Sequence, residues 1–323
     1  MKKLLFLTFL LTGIFAKVWA DVEPGNNAPG TTADVLSPSG SQSGTLSPTD
    51  QNDYYKITTT GDGKLTISLS NISNEYMYIY LLDSDGATAL GSTSGYAQST
   101  ISFSRDGLSA GVYFVQIYCS NTTNYFVSSG FTAPGYANDA EPNDLPAQAL
   151  NITNNIAVEG HIKFYNNGGS TDNDDYYQCT TAADGNITIS LQNDNNGYSY
   201  IYLYDIDGVT LLGSTSGYAQ SGISFVSTGL GAGTYYIRVQ GASFYAYSLT
   251  ATLDPNTYVN DGANNNSFNA AVSFPQNSSS TGHIAYRYNN SNYDTDDFFS
   301  FYSNGDYSIT ISLSNNTNGY TYI

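Results

Sequence analysis

Histidine, cysteine and basic residues are scarce in this chain, and each scarcity closes off a class of function. Of 323 residues only two are histidine, His161 and His283, and two are cysteine, Cys119 and Cys179. No His-Glu-x-x-His zinc motif occurs. Each histidine follows a glycine and precedes an isoleucine, which reads as a structural place at a strand edge. Gly91-Ser92-Thr93-Ser94-Gly95, and its twin at 213–217, resemble a nucleophile elbow only loosely: threonine holds the centre and no helical pattern follows. The glycine-rich stretches carry no lysine for a phosphate, and nothing marks a glycosidase pair of carboxylates. No catalytic residue is assigned, and the chain reads as a non-enzyme over these residues.

Nine basic residues face 27 acidic ones, a net charge of −18. Three of the nine, Lys2, Lys3 and Lys17, lie in an apolar leader. Its charged start, the run Leu4 to Phe15 and the small residue at Val18-Trp19-Ala20 read as a secretory signal peptide over 1–20. The chain left after cleavage then carries 9 − 3 = 6 basic residues, and 6 − 27 = −21. Such a chain repels phosphate backbones and attracts cations, so nucleic acid is not an expected partner. The leader is too short to span a bilayer and no later segment is apolar enough, so no membrane span is expected. The reading is a secreted, extracellular or cell-surface protein. Export would permit a disulfide between Cys119 and Cys179, although Cys179 takes a slot that is Ile57 and Phe301 in sister copies and reads as a buried hydrophobe.

Against these scarcities stands a long repeat. Asp53-Tyr54-Tyr55 returns as Asp175-Tyr176-Tyr177 and as Asp297-Phe298-Phe299, with 175 − 53 = 122 and 297 − 175 = 122. A period of that length is a whole domain per copy. Helical periodicity is missing and apolar–polar alternation is widespread. Lys64 to Ser70 puts Leu65, Ile67 and Leu69 on one face, and Asn186 to Leu191 and Ser308 to Leu313 repeat it. Further strands are expected at Tyr76 to Leu82, Ser99 to Phe103 and Gly111 to Tyr118, at their equivalents Tyr198 to Tyr204, Gly222 to Val226 and Gly233 to Gln240, and at Tyr245 to Leu253. Asp83-Ser84-Asp85-Gly86 and Asp205-Ile206-Asp207-Gly208 lack the rest of an EF-hand loop and read as hairpin turns. The expected fold is all-β: tandem antiparallel, jelly-roll-like β-sandwich domains over 21–133 and 139–254, with an incomplete third over 255–323.

The second copy opens with Asp139-Ala140-Glu141-Pro142-Asn143-Asp144 and carries Asp172-Asn173-Asp174-Asp175-Tyr176-Tyr177 some thirty residues on. Calcium takes six to eight oxygen ligands. Glu141, Asn143 and Asp144 offer three, and Asp172 and Asp175 add two or three more. In the first copy Asp50 and Asp53 match, behind a weaker opening, Glu23-Pro24-Gly25-Asn26-Asn27, in which Gly25 and Asn26 stand where Asn143 and Asp144 do. In the third, Asp294 and Asp297 match, behind Ala263-Asn264-Asn265-Asn266. Fewer charged ligands mean weaker binding, so the second copy is expected to bind calcium best, the first weakly and the third least. The other reading of these acids is a solvated acidic linker beside an acidic turn.

With Val158-Glu159-Gly160-His161-Ile162 between the two motifs and Gly231-Ala232-Gly233-Thr234-Tyr235-Tyr236-Ile237-Arg238-Val239 closing the copy, this order resembles the bacterial pre-peptidase C-terminal domain. That family is a secreted β-sandwich often appended to extracellular peptidases. The collagen-binding domains of clostridial collagenases are similar. The resemblance covers nearly all of copies one and two and the visible part of three. It implies calcium tying the opening segment to the sandwich.

A departure from that family is a tyrosine stripe. Tyr198, Tyr200, Tyr202 and Tyr204 share one strand face opposite Ile201 and Leu203, as do Tyr76, Tyr78 and Tyr80; Tyr320 and Tyr322 begin it again. The stripe reads either as cross-strand packing or as a stacking surface for an extracellular polymer, a polysaccharide or a collagen-like protein. The functional expectation is a secreted, non-catalytic accessory or adhesive β-sandwich repeat protein, stabilised by calcium and binding an extracellular polymer or surface. The alternative is the front of a longer secreted peptidase or glycosidase with its catalytic domain beyond 323, although family modules usually follow the catalytic domain. A plain structural stalk is a third reading.

Overall fold

The computed structural model describes residues 25–165, 172–261, 265–288, 292–306, 308–315 and 321–323. The leader, Glu23 and Tyr320 lie outside them. Nine strands form the first sandwich: β1 (Asp34–Val35), β2 (Ser41–Leu46), β3 (Asn52–Thr59), β4 (Gly63–Asn71), β5 (Tyr76–Leu82), β6 (Ala89–Tyr96), β7 (Ile101–Leu108), β8 (Gly111–Tyr118) and β9 (Thr123–Thr132). One sheet runs β1-β3-β8-β5-β6 and the other β2-β9-β4-β7.

The second sandwich repeats the plan with β10 (Leu150–Asn151), β11 (Val158–Ile162), β12 (Asp174–Thr181), β13 (Gly185–Asn193), β14 (Tyr198–Tyr204), β15 (Leu211–Tyr218), β16 (Ile223–Leu230), β17 (Gly233–Gly241) and β18 (Tyr245–Pro255). Its sheets run β10-β12-β17-β14-β15 and β11-β18-β13-β16, the second extended beyond β16 by two short strands of the third copy. The one parallel pair within each sandwich, β1 with β3 and β10 with β12, ties the chain's entry to the first long strand.

Alternation explains why these segments are strands. Successive side chains of a strand point to opposite faces, so Leu65, Ile67 and Leu69 of β4 reach one core and Ile187, Ile189 and Leu191 of β13 reach another. Ile79 and Leu81 of β5 and Val115 and Ile117 of β8 close the first core from the facing sheet, as Ile201, Leu203, Ile237 and Val239 do the second. Cys119 and Cys179 are free thiols, each buried in a different core, so the disulfide the sequence left open does not form.

Among the described residues the third copy has two short ladders, one parallel and one antiparallel. It contributes β19 (Val272–Ser273), β20 (Arg287–Tyr288), β21 (Asn292–Tyr293) and β22 (Phe299–Ser300). Val272 pairs in parallel with Phe299, the equivalent of Leu150 with Tyr177 (150 + 122 = 272; 177 + 122 = 299). The strand expected over 308–313 does not form, which corrects the alternation reading. Ile309, Ile311 and Leu313 are more than half exposed. In the first sandwich the matching β4 pairs with β7 and β9. Among the described residues the third copy has no strand equivalent to β7 or β9. Without neighbours on either side, the apolar face has no sheet to join and no core to enter. Among the described residues no helix is long and apolar enough to cross a membrane.

Candidate metal centre

The entry to β12 puts a carboxylate where a core residue belongs. In the alternation of β12, Asp175 points inward with Tyr177 and Cys179 and is fully buried. Tyr247 of β18 donates its hydroxyl to Asp175 Oδ2 at 2.5 Å, and the Tyr177 hydroxyl donates to Asp139 Oδ2 at 2.5 Å. The opening segment lies across this end of the sandwich. Its Asn143 is fully buried; its carbonyl accepts the N–H of Tyr176 at 2.8 Å, its side-chain amide donates to Asp139 Oδ2 at 2.6 Å, and its own N–H donates to Glu141 Oε2 at 3.1 Å.

Carboxylate oxygens of Asp139, Glu141 and Asp175 lie within 4.8 Å of one another. Buried oxygens that accept no hydrogen bond are Asp139 Oδ1, Asn143 Oδ1, Asp172 Oδ1 and Asp175 Oδ1. Burial, and then the charges of its neighbours, pushes Asp172 up to about 8. Asp175 rises well above the usual carboxylate range, and Asp139 and Glu141 also rise, burial being the first cause in each. Carboxylates this close cannot all ionise unless a positive charge stands among them. Of the residues expected from sequence, Glu141, Asn143, Asp172 and Asp175 come together. Asp144 is exposed and outside the cluster; its charge only adds to the repulsion on Glu141 and Asp172. The acid that sequence reasoning missed is Asp139.

The third copy builds a similar group. Asp261, Asp294 and Asp297 gather, with oxygens within 4.8 Å. Asn265 donates to Asp261 Oδ2 at 2.7 Å and accepts the N–H of Phe298 at 2.9 Å, as Asn143 does with Asp139 and Tyr176. Asp297 is pushed up to about 6, by burial first and the two neighbouring aspartates next. Asp261 was also missed; the period shows it (139 + 122 = 261).

In the first sandwich the buried Asn26 accepts the N–H of Tyr54 at 2.9 Å, so Asn26 holds the place of Asn143. The sequence alignment had Gly25 there, one residue out of step. Asn26 reaches Asp34 at 3.4 Å. Asp53 is buried and takes the Tyr125 hydroxyl at 2.5 Å, and Asp50 sits half-buried in the turn before β3.

The tyrosines occupy the outer face of the β14 sheet. Ile201 and Leu203 are fully buried, while Tyr198, Tyr200, Tyr202 and Tyr204 are half-buried. Tyr200 and Tyr202 stack at 6.4 Å and 7°, and Tyr202 and Tyr204 at 6.2 Å and 29°. Arg238 of β17 lies over Tyr202 and Tyr176 and pairs with Asp174 at 2.7 Å. On the first sandwich Tyr76 is exposed, and Tyr78 and Tyr80 stack at 6.2 Å and 7°. There Gln116 donates to Asn52 at 2.7 Å in place of the ion pair. Tyr322 is exposed outside any strand.

Residues 51–118 match the family model of the bacterial pre-peptidase C-terminal domain. Among solved structures, similar ones include the pre-peptidase C-terminal domain of collagenase from Bacillus anthracis (19% identity, 30% of this chain and 93% of that one, TM-score 0.26). Others include the periplasmic lysozyme inhibitor PliG of Aeromonas hydrophila (12%, 31% and 99%, TM-score 0.23) and a putative secreted protein from Eubacterium rectale (12%, 71% and 81%, TM-score 0.24). No curated protein matches the chain. The family match thus falls within the first sandwich, from the residue before β3 to the end of β8.

Proposed function

We propose that this is a secreted, non-catalytic protein of tandem pre-peptidase C-terminal modules, over 21–133, 139–254 and an incomplete 255–323, stabilised by calcium and binding an extracellular polymer. The observation that carries the calcium reading is the four buried oxygens of Asp139, Asn143, Asp172 and Asp175 that accept no hydrogen bond. A buried acceptor left unsatisfied is costly, and a hard cation satisfies several at once. Asp139, Glu141, Asn143, Asp172 and Asp175 would hold the ion, which would neutralise the cluster and pin the opening segment to β12. Asp261, Asn265, Asp294 and Asp297 would form a second, weaker site, and Asp50 and Asp53 part of a third.

Calorimetric titration of the chelator-treated protein with calcium tests this. Heat and a raised unfolding temperature are expected; neither appearing ends the calcium reading. The stacked tyrosines support a polymer-binding face, because flat, half-exposed rings suit sugar rings or an extended protein. Tyr200→Ala with Tyr202→Ala should abolish binding to a polysaccharide or collagen-like polymer, and an unchanged pull-down dismisses that face. Secretion follows from the leader and is checked by the mature N-terminus, expected near Asp21.

A further inference from the structure

The chain's two histidines do the same work at two joins. His161 is nearly fully buried, with Nδ1 2.7 Å from Asp62 Oδ2 and Nε2 2.8 Å from the carbonyl oxygen of Tyr136. His283 (161 + 122 = 283) has Nδ1 2.8 Å from Asp184 Oδ2 and Nε2 2.7 Å from the carbonyl of Tyr258. Asp62 and Asp184 sit in the β3–β4 and β12–β13 turns of the preceding sandwich, where their second oxygens accept the N–H groups of Ala110 and Ala232 at 2.7 and 2.8 Å. Each ring also stacks on an aromatic three residues on, Phe164 at 4.4 Å and Tyr286 at 4.5 Å.

The next residue completes the contact. Tyr165 donates to Asp83 at 3.0 Å, and Arg287 to Asp205 at 3.1 Å. Its backbone pairs in parallel with Leu108 of β7 in one join and with Leu230 of β16 in the other. An open edge strand exposes unpaired N–H and C=O groups. Here one residue of the following copy pairs with the end of that edge, while the histidine answers a carboxylate that would be costly to bury alone.

We propose that each sandwich carries a head-to-tail docking surface for a copy of itself. The tail is the aspartate of the β3–β4 turn, the aspartate after β5 and the β7 edge; the head is the histidine, the ring three residues on and the residue after it. One joint used twice imposes the same rotation at each step, so the copies stack as a rigid rod rather than hang on loose linkers. The first sandwich carries the tail but has Thr45 where the histidine stands: Gly44 and Gly160 both leave room for a core tyrosine, Tyr125 and Tyr247.

The scissile bonds for chymotrypsin at the joins follow Tyr136 and Tyr258, the residues whose carbonyls the histidines hold. Limited chymotrypsin digestion and small-angle scattering of the full chain test the joint. The intact protein should scatter as a rod and resist cleavage at both tyrosines. His161→Ala should raise cleavage after Tyr136 by about tenfold or more and leave Tyr258 protected, because cleavage tracks the opened population. His283→Ala should do the reverse. Since His161 also belongs to β11, Asp62→Ala, in a turn of the first sandwich, is the second variant; it should open the first join with both sandwiches still unfolding at their own temperatures. Flexible scattering by the intact protein, or unchanged cleavage in both His161→Ala and Asp62→Ala, overturns the proposal.

Discussion

In the second sandwich Asn143 hands its amide proton to Asp139; in the first, Asn26 reaches Asp34 instead. Both asparagines are buried and both take the N–H of the same strand position, Tyr176 or Tyr54. Both sandwiches bury an aspartate under a tyrosine hydroxyl, Asp175 under Tyr247 and Asp53 under Tyr125. The framework of the site is therefore common, and its charge is set by what the opening segment brings. On the outer face the same thing happens: Arg238 with Asp174 in one copy is Gln116 with Asn52 in the other. Hydrogen-bonding geometry persists while charge is exchanged.

The comparison can be broken first at the cores. Ile189→Ala should cost about 2–5 kcal/mol and lower chiefly the second sandwich's unfolding transition, and Ile67→Ala should do so for the first. Calorimetry resolves the two; a single shared shift would show that the copies do not hold separate cores. Next comes the metal. At calcium one hundred times the dissociation constant, binding adds about 2.7 kcal/mol to the sandwich that holds it. Asp175→Asn should remove that gain from the second transition, while Asp53→Asn leaves the second transition's gain in place.

Acidity sharpens the same contrast. Asp172 rises from an ordinary 3.8 to about 8 in the folded protein. The folded state then holds the proton more tightly than the unfolded one, so this contribution to stability is complete below about 3.8 and is lost as pH rises through about 8. Without calcium the second transition should fall in temperature across that window. With calcium the ionised cluster is paired and the fall should shrink. The smallest effect is expected on the outer face. Arg238→Gln, which copies the first sandwich, should cost about 0.2–1 kcal/mol, since the pair with Asp174 is partly solvated.

Alternating strands were legible in the sequence wherever one face was apolar: Tyr76 to Leu82 and Tyr198 to Tyr204 stand as read. β6 and β15 were not, because Gly91-Ser92-Thr93-Ser94-Gly95 and its twin are small and polar on both faces and become strands only as the partners of β5 and β14. The opposite failure occurs at 308–313, where the pattern is right and no neighbouring strand pairs with it among the described residues. At the acidic cluster, the sequence reading included Asp144, which is exposed, and did not include Asp139, which joins Glu141 and Asp175, since composition shows that acids are near in sequence and not which way they turn. His161 and His283 were read as structural, but their partners, Asp62 and Asp184, lie 161 − 62 = 99 and 283 − 184 = 99 residues away and left no local mark.

The residues alone determined the period, the all-β class and the inward face of each long strand, because alternation and repetition are properties of neighbouring positions. Tertiary structure decided which carboxylates meet, which acid stays in solvent and how one copy seats on the next. Those outcomes depend on the register of strands and the path of turns, which bring together groups tens of residues apart and remove them from water at the same moment.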